Sequence, residues 1–99
     1  MHDLDPFSIC LMYCEEVKND RTIQSAFNHA CSEMDELQSE ILYARDGLAP
    51  GADGIVGEAI DVIACMIDII YQNDPDVSIE ELNALMSKKC RKWKDKYSK

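Results

Sequence analysis

Ile55-Val56-Gly57-Glu58-Ala59-Ile60-Asp61-Val62-Ile63-Ala64-Cys65-Met66-Ile67-Asp68-Ile69-Ile70-Tyr71 is the stretch on which the fold turns. It is apolar on nearly every face and is halted by Asp74 and Pro75, so it predicts a core helix over about residues 55–73. Glu58, Asp61 and Asp68 interrupt the run, which argues against a membrane span. The same residues pose a physical problem, because a carboxylate buried alone is costly.

Three further helices can be drawn outward from this one, and nothing reads as a strand. The helix before it runs from about Arg21 to the mid-forties. Ile23, Phe27, Ala30, Met34, Leu37, Ile41, Ala44 and Leu48 follow a 4-3-4-3 spacing and predict one continuous apolar stripe. Between the two lies Asp46–Gly54, with Gly47, Pro50, Gly51 and Gly54, the one substantial loop and a candidate lid. A first helix opens with Asp5 as N-cap and Pro6 at the first helical position, runs to about Val17, and is interrupted at Asn19 and Asp20. A fourth opens with Ser78 and Glu81 in the S-x-x-E capping pattern. The expected fold is all-α, a four-helix bundle-like subunit in a single domain over residues 1–99. That is a size at which a chain often gains by burying a face against a copy of itself.

Hydrophobic residues make up 46% and charged residues 29% of the 99, the balance of a globular protein. No stretch resembles a signal peptide, so the expected location is cytoplasmic. Charge is uneven. Residues 1 to 85 carry three basic and eighteen acidic side chains, net −15, and residues 86 to 99 carry seven basic and one acidic, net +6. The acidic body disfavours general nucleic-acid binding and concentrates cations, whereas Lys88, Lys89, Arg91, Lys92, Lys94 and Lys96 can meet an anion or serve as a solvated helix face. Five cysteines, Cys10, Cys14, Cys31, Cys65 and Cys90, form no CxxC pair and read as reduced thiols in a small-hydrophobe role. A metal site from Cys10, Cys14, His29 and Cys31 is the less favoured alternative.

The acidic residues form two pairs: Glu33-Met34-Asp35-Glu36, an ExxE, and Glu58-Ala59-Ile60-Asp61, an ExxD. Residues three apart on a helix aim their side chains to one side, so two such helices packed antiparallel would gather four carboxylates. Ligation by oxygen alone suits Mg²⁺ first and Mn²⁺ second. Register is the obstacle. If the second helix reached Asp46, Glu36 would lie about 15 Å before the turn and Glu58 only about 5 Å after it, so the helix must end early or the loop must fold back. Taken singly, Glu33 and Glu36 read as solvated positions, His29 as a surface or packing histidine, Trp93 as an anchor for the last helix, and Asp68 as a salt-bridge partner of the basic fourth helix.

Taken together, ExxE, the gap and ExxD on an all-helical chain of this length resemble the MazG-like nucleoside triphosphate pyrophosphohydrolases, within the all-α NTP pyrophosphatase superfamily. The resemblance spans about Phe27 to Trp93. Its core stretches are Ser32-Glu33-Met34-Asp35-Glu36-Leu37-Gln38-Ser39-Glu40, Gly57-Glu58-Ala59-Ile60-Asp61-Val62-Ile63 and Met86-Ser87-Lys88-Lys89-Cys90-Arg91-Lys92-Trp93. It implies that Glu33, Glu36, Glu58 and Asp61 bind Mg²⁺, or Mn²⁺, and that Glu36 activates the attacking water. It also implies that Lys88, Arg91 and Lys92 contact substrate phosphates; Lys89 stands where similar proteins often have asparagine. The implied reaction is Mg-dependent hydrolysis of a (deoxy)nucleoside triphosphate to monophosphate and pyrophosphate, in nucleotide-pool control or removal of non-canonical nucleotides. The implied assembly is a homodimer or homotetramer through the apolar helices.

Two other classes compete. A noncatalytic acidic interaction protein or nucleic-acid mimic predicts exposed carboxylates. A ferritin-like di-metal carboxylate protein needs ExxH pairs, and neither His2 nor His29 follows a glutamate at that spacing.

Overall fold

Asp5 caps the first helix as its sequence predicts: its side chain accepts from the Ser8 amide at 2.8 Å, and Pro6 follows at the first helical position. In the computed structural model, which describes residues 5–17 and 21–98, four helices follow one another: α1 (Pro6–Glu16), α2 (Ile23–Arg45), α3 (Gly54–Asn73) and α4 (Ile79–Tyr97). Among the described residues there is no strand, and the fold is all-α. Asn19 and Asp20, the expected interruption after α1, lie outside the described residues. No described helix is long and apolar enough to cross a membrane.

Each helix end has a local cause. Thr22 and Ser25 form a reciprocal capping box at the start of α2, and Ser78 and Glu81 form another at the start of α4, with hydrogen bonds of 2.9–3.0 Å. α2 ends where Gly47, at φ +75°, enters the left-handed region. The Gly47 amide then donates to Ala44 O and the Leu48 amide to Tyr43 O, which satisfies the last carbonyls of the helix.

α2 and α3 form an antiparallel pair that makes up the body, with α1 laid across α3. Small residues set their approach. Ala26 and Ala30 on α2 are fully buried, and Cys65, Ile67 and Tyr71 on α3 and Cys14 on α1 close the core. Among the described residues no large side chain is fully buried. α4 meets the rest of the chain at its beginning, where Leu82 is its one buried residue, and is exposed from Asn83 to Ser98.

Three sequence expectations are corrected here. The α2 stripe is not one surface: Ala30 is buried and Leu37 half-buried, but Phe27, Met34, Ile41 and Leu48 are exposed. α3 is not covered on all sides, since Val56, Ile60 and Ile63 are 76%, 57% and 48% exposed. Trp93 anchors nothing in its own chain; it is 67% exposed, with the Tyr97 ring edge-on at 6.2 Å. A two-helix body has too few layers to cover both sides of each helix. The accessible surface is accordingly 7510 Å², where a compact chain of this mass shows about 5,700 Å². The radius of gyration is 15.7 Å, against about 13 Å for a compact chain of 100 residues.

Candidate metal centre

The α2–α3 loop resolves the register problem by folding back. α2 runs its full length to Arg45, so Glu36 does lie well before the turn. Residues 46–53 then retrace the last turns of α2 until the Gly51 amide reaches the Glu40 carboxylate, donating to both oxygens at 3.0 Å. From that point α3 advances as α2 recedes. Glu58 comes to lie opposite Glu33 and Glu36, and Cys65 opposite His29. The expected lid is thus tied down at its middle.

All four sequence-predicted carboxylates converge around Glu58. Ligand oxygens of Glu33, Glu36 and Glu58 all lie within 4.8 Å of one another, and so do those of Asp53, Glu58 and Asp61. The two sets share only Glu58. Asp53 is the member that sequence reasoning missed; it sits in the breaker-rich segment, just ahead of α3, where an aspartate reads as a turn or cap residue. The only available signal was its distance of five residues from Glu58 across a helix start.

Glu58 is the electrostatic focus. It is 8% exposed, and its Oε1 is buried with no hydrogen-bond partner. Its pKa is pushed above the usual carboxylate value, first by burial and then by the like charges of Glu36, Asp53, Asp61 and Glu33. Among the described residues no lysine or arginine pairs with any of the five carboxylates. An orphaned, buried oxygen among like charges is the pattern that a bound cation relieves, and the donor set, oxygen without sulphur, fits a hard divalent ion.

His29 holds one member of the cluster in place. Its Nε2 lies 3.1 Å from Glu33 Oε2 and its Nδ1 3.6 Å from Cys65 Sγ. A carboxylate only accepts, so Nε2 donates to Glu33; in the neutral imidazole Nδ1 is then the acceptor for the Cys65 thiol. That thiol is kept protonated: burial raises its pKa, and the charges of Glu33 and Asp61 add to the effect. Burial likewise lifts Cys10, and lifts Cys14 to about 11. The cation-capable groups among the described residues contain no cysteine, so the thiol-plus-His29 alternative does not assemble.

A cleft of about 340 Å³ opens beside Glu33 and Asp61, between α1, α2 and α3, and is lined by Tyr13, His29, Cys65 and the Arg21–Asp68 ion pair. Asp68 therefore pairs with Arg21, on the segment leading into α2, and not with the basic fourth helix as expected. The reason is proximity: Arg21 faces the far end of α3, whereas α4 leaves the body after Leu82. Lys88, Arg91 and Lys92 are exposed on that outlying part of α4. Within one chain they form no ion pair with the carboxylates, among the described residues.

Compared with known proteins, the chain matches no family model, no curated protein and no solved structure.

Proposed function

We propose that this protein is a Mg²⁺-dependent nucleoside triphosphate pyrophosphohydrolase of the MazG-like kind, cleaving (deoxy)nucleoside triphosphates between the α and β phosphorus atoms to monophosphate and pyrophosphate. The observation that carries this reading is Glu58 Oε1, buried without a partner between the carboxylates of Glu33 and Glu36 on α2, Asp61 on α3 and Asp53 just ahead of α3. An acidic interaction surface or nucleic-acid mimic has no use for a buried carboxylate, since mimicry works through exposed ones.

Glu33, Glu36, Glu58 and Asp61 would hold the cation, or Mn²⁺ in its place. When bound, it offsets phosphate charge and lowers the pKa of water at the phosphorus. Glu36 is exposed at the rim of the cluster, and in this reading it orients the attacking water and accepts its proton. His29 fixes the Glu33 carboxylate through its Nε2–H, as an outer hydrogen bond fixes a ligand. The cleft beside Glu33 and Asp61 gives the nucleoside a place to lie, with the Tyr13 ring on one wall and Arg21 and Asp68 at its far end.

Lys88, Arg91 and Lys92 are the phosphate contacts in this reading. Because α4 stands away from its own chain's carboxylates, a second copy would have to supply them. The exposed apolar residues of α2 and α3, and a surface larger than a compact monomer needs, support assembly as a dimer or tetramer.

A pyrophosphate-release screen across natural and modified triphosphates, with and without Mg²⁺, tests the activity. Turnover is expected only with Mg²⁺ or Mn²⁺. No turnover of any triphosphate with either ion would overturn the enzymatic reading. Glu58→Gln is expected to lose turnover and Mg²⁺ binding while remaining folded, because the uncompensated buried anion disappears.

A further inference from the structure

We infer that the cleft between α1, α2 and α3 takes a guanine base, with Asp68 and Arg21 reading its Watson–Crick edge, which makes a guanine (deoxy)nucleoside triphosphate the preferred substrate. The inference rests on the triphosphate reading above and adds to it the identity of the base, which neither the acidic pairs nor the basic helix decides.

Length is the first argument. The cleft runs along α3 from Asp61 to Asp68, seven residues apart on nearly one side of the helix, a span of about 10.5 Å at 1.5 Å per residue. A purine nucleotide reaches about as far from its α-phosphate to the outer edge of its base. Between the two aspartates lie Ala64 and Cys65, small enough to leave room for a flat ring, and Tyr13 on α1 offers an exposed ring for stacking.

The other polar groups of the cleft supply the second argument, because they are already engaged. The His29 ring meets Glu33 with one nitrogen and Cys65 with the other, and the Cys10 thiol donates to Ala64 O at 3.6 Å. The pair at the far end has donors and an acceptor to spare. Arg21 carries five N–H donors and gives one, on Nη2, to Asp68 Oδ2; among the described residues it makes no other hydrogen bond. Asp68 Oδ1 meets the Gln72 side-chain amide at a long 3.4 Å. A carboxylate has about four lone-pair sites, so Asp68 can accept two further donors without releasing the arginine.

Matching this pair to a base decides which one. Guanine alone among the common bases sets two adjacent donors, N1–H and N2–H, beside an acceptor, O6, on one edge. The two donors fit the Asp68 carboxylate as a bidentate pair, and O6 fits a free N–H of Arg21. Adenine would turn the N1 lone pair towards the carboxylate, and each pyrimidine offers a single donor group beside acceptors. A carboxylate only accepts, so those lone pairs would face an anion. The Asp68 side chain is 7% exposed, which keeps the contact out of bulk water, where a mismatched polar group costs most.

The nucleotide dITP, which is dGTP without its N2 amine, isolates the contact. In a pyrophosphate-release assay with Mg²⁺, wild-type kcat/KM for dGTP is expected to exceed that for dITP, dATP, dCTP and dTTP by about tenfold or more. With 7-deaza-dGTP, altered on the opposite edge, it is expected to match dGTP. Asp68→Asn, its fold verified by circular dichroism, is expected to lose the preference for dGTP over dITP; should that variant not fold, the wild-type ratio decides. Titration calorimetry with dGMP, dIMP, dAMP, dCMP and dTMP repeats the comparison without catalysis. Turnover with equal kcat/KM for dGTP and dITP would overturn this inference and leave the pyrophosphohydrolase reading standing, as would a loss confined to 7-deaza-dGTP. Selective binding of dGMP with no triphosphate turned over would uphold the guanine cleft and remove the hydrolase. Neither turnover nor binding of any monophosphate would overturn both.

Discussion

Glu40 accepts the Gly51 amide with both of its carboxylate oxygens, each at 3.0 Å, at the fold-back of the loop beyond which Glu58 comes to lie opposite Glu33 and Glu36. Glu40 is 7% exposed, so the bond is made away from bulk water and the charge is met by a backbone dipole. A Cβ on Gly51 would meet Glu40 Oε2, the far end of a flexible side chain, and would turn that carboxylate off the Gly51 amide.

Disrupting this clamp is therefore expected to act at a distance. Glu40→Ala loses a hydrogen bond to a charged group, about 2 kcal/mol, or roughly 10 °C in melting temperature for a domain of this size. Gly51→Ala should cost at most that amount, by turning the Glu40 carboxylate away from the amide. Both variants are expected to bind Mn²⁺ more weakly than wild type, although neither residue is a ligand. Gly47→Ala is the control, costing about 1 kcal/mol for its positive φ and leaving Mn²⁺ affinity unchanged. Thermal melts and Mn²⁺ titrations of the three variants check this, and equal affinities throughout would sever register from site.

How far the sequence foretold these features depends on whether a signal was local. The helices and their capping residues Asp5, Ser78 and Glu81 were legible because capping is a matter of a few neighbouring residues. The carboxylate quartet was legible as two i, i+3 pairs. Asp53 was not, because its part depends on where a glycine-rich loop lays α3 against α2. The Arg21–Asp68 pair was missed for a like reason, as the long basic segment of α4 was a more conspicuous partner than a single arginine. The α2 stripe misled in another way. Its 4-3 spacing is real, but Ala30 and Leu37 face the body while Phe27, Met34, Ile41 and Leu48 face outward, and periodicity alone does not say which surface an apolar residue will meet.

Arg21 and Asp68 make a part-buried ion pair, with side chains 27% and 7% exposed. Removing the arginine strands the aspartate. Arg21→Ala is expected to destabilise the fold by about 3 kcal/mol, whereas replacing both with apolar residues of similar volume should recover most of that loss. Urea unfolding of the single and double variants measures the difference. If the double variant were no better than Arg21→Ala, the cost would lie in packing and not in an uncompensated charge.

Tyr71 donates to Glu15 across the α1–α3 interface, and that hydrogen bond, with burial, raises the phenol from its ordinary value of 10 to about 12. The sign follows from linkage. Unfolding exposes a phenol that ionises near pH 10, whereas the folded protein keeps it neutral to about pH 12, so the contribution is whole below pH 10 and is lost as the pH rises through 12. Tyr71→Phe should flatten this alkaline decline. Melting temperatures between pH 8 and pH 12 compare the two proteins, and identical slopes would show that Tyr71 does not report on the α1–α3 contact.

The exposed apolar residues of the body fall on regular faces. Val56, Ile60 and Ile63 recur at four and three residues along α3, and Phe27, Met34 and Ile41 recur at sevens along α2, the spacing of a seam that packs against another helix. α4 carries its basic residues away from the acidic body of its own chain, so a partner seated on these faces could bring its α4 to the carboxylates. Ile60→Glu is accordingly expected to yield a monomer by light scattering, with Mn²⁺ still bound because the carboxylates belong to one chain. In the same assembly Lys88→Ala, Arg91→Ala and Lys92→Ala together should raise KM for a triphosphate about tenfold or more without changing the mass of the particle. A wild-type chain that is monomeric at every concentration tested would remove the trans-supplied phosphate contacts. The metal centre would then have to meet its substrate without the basic helix.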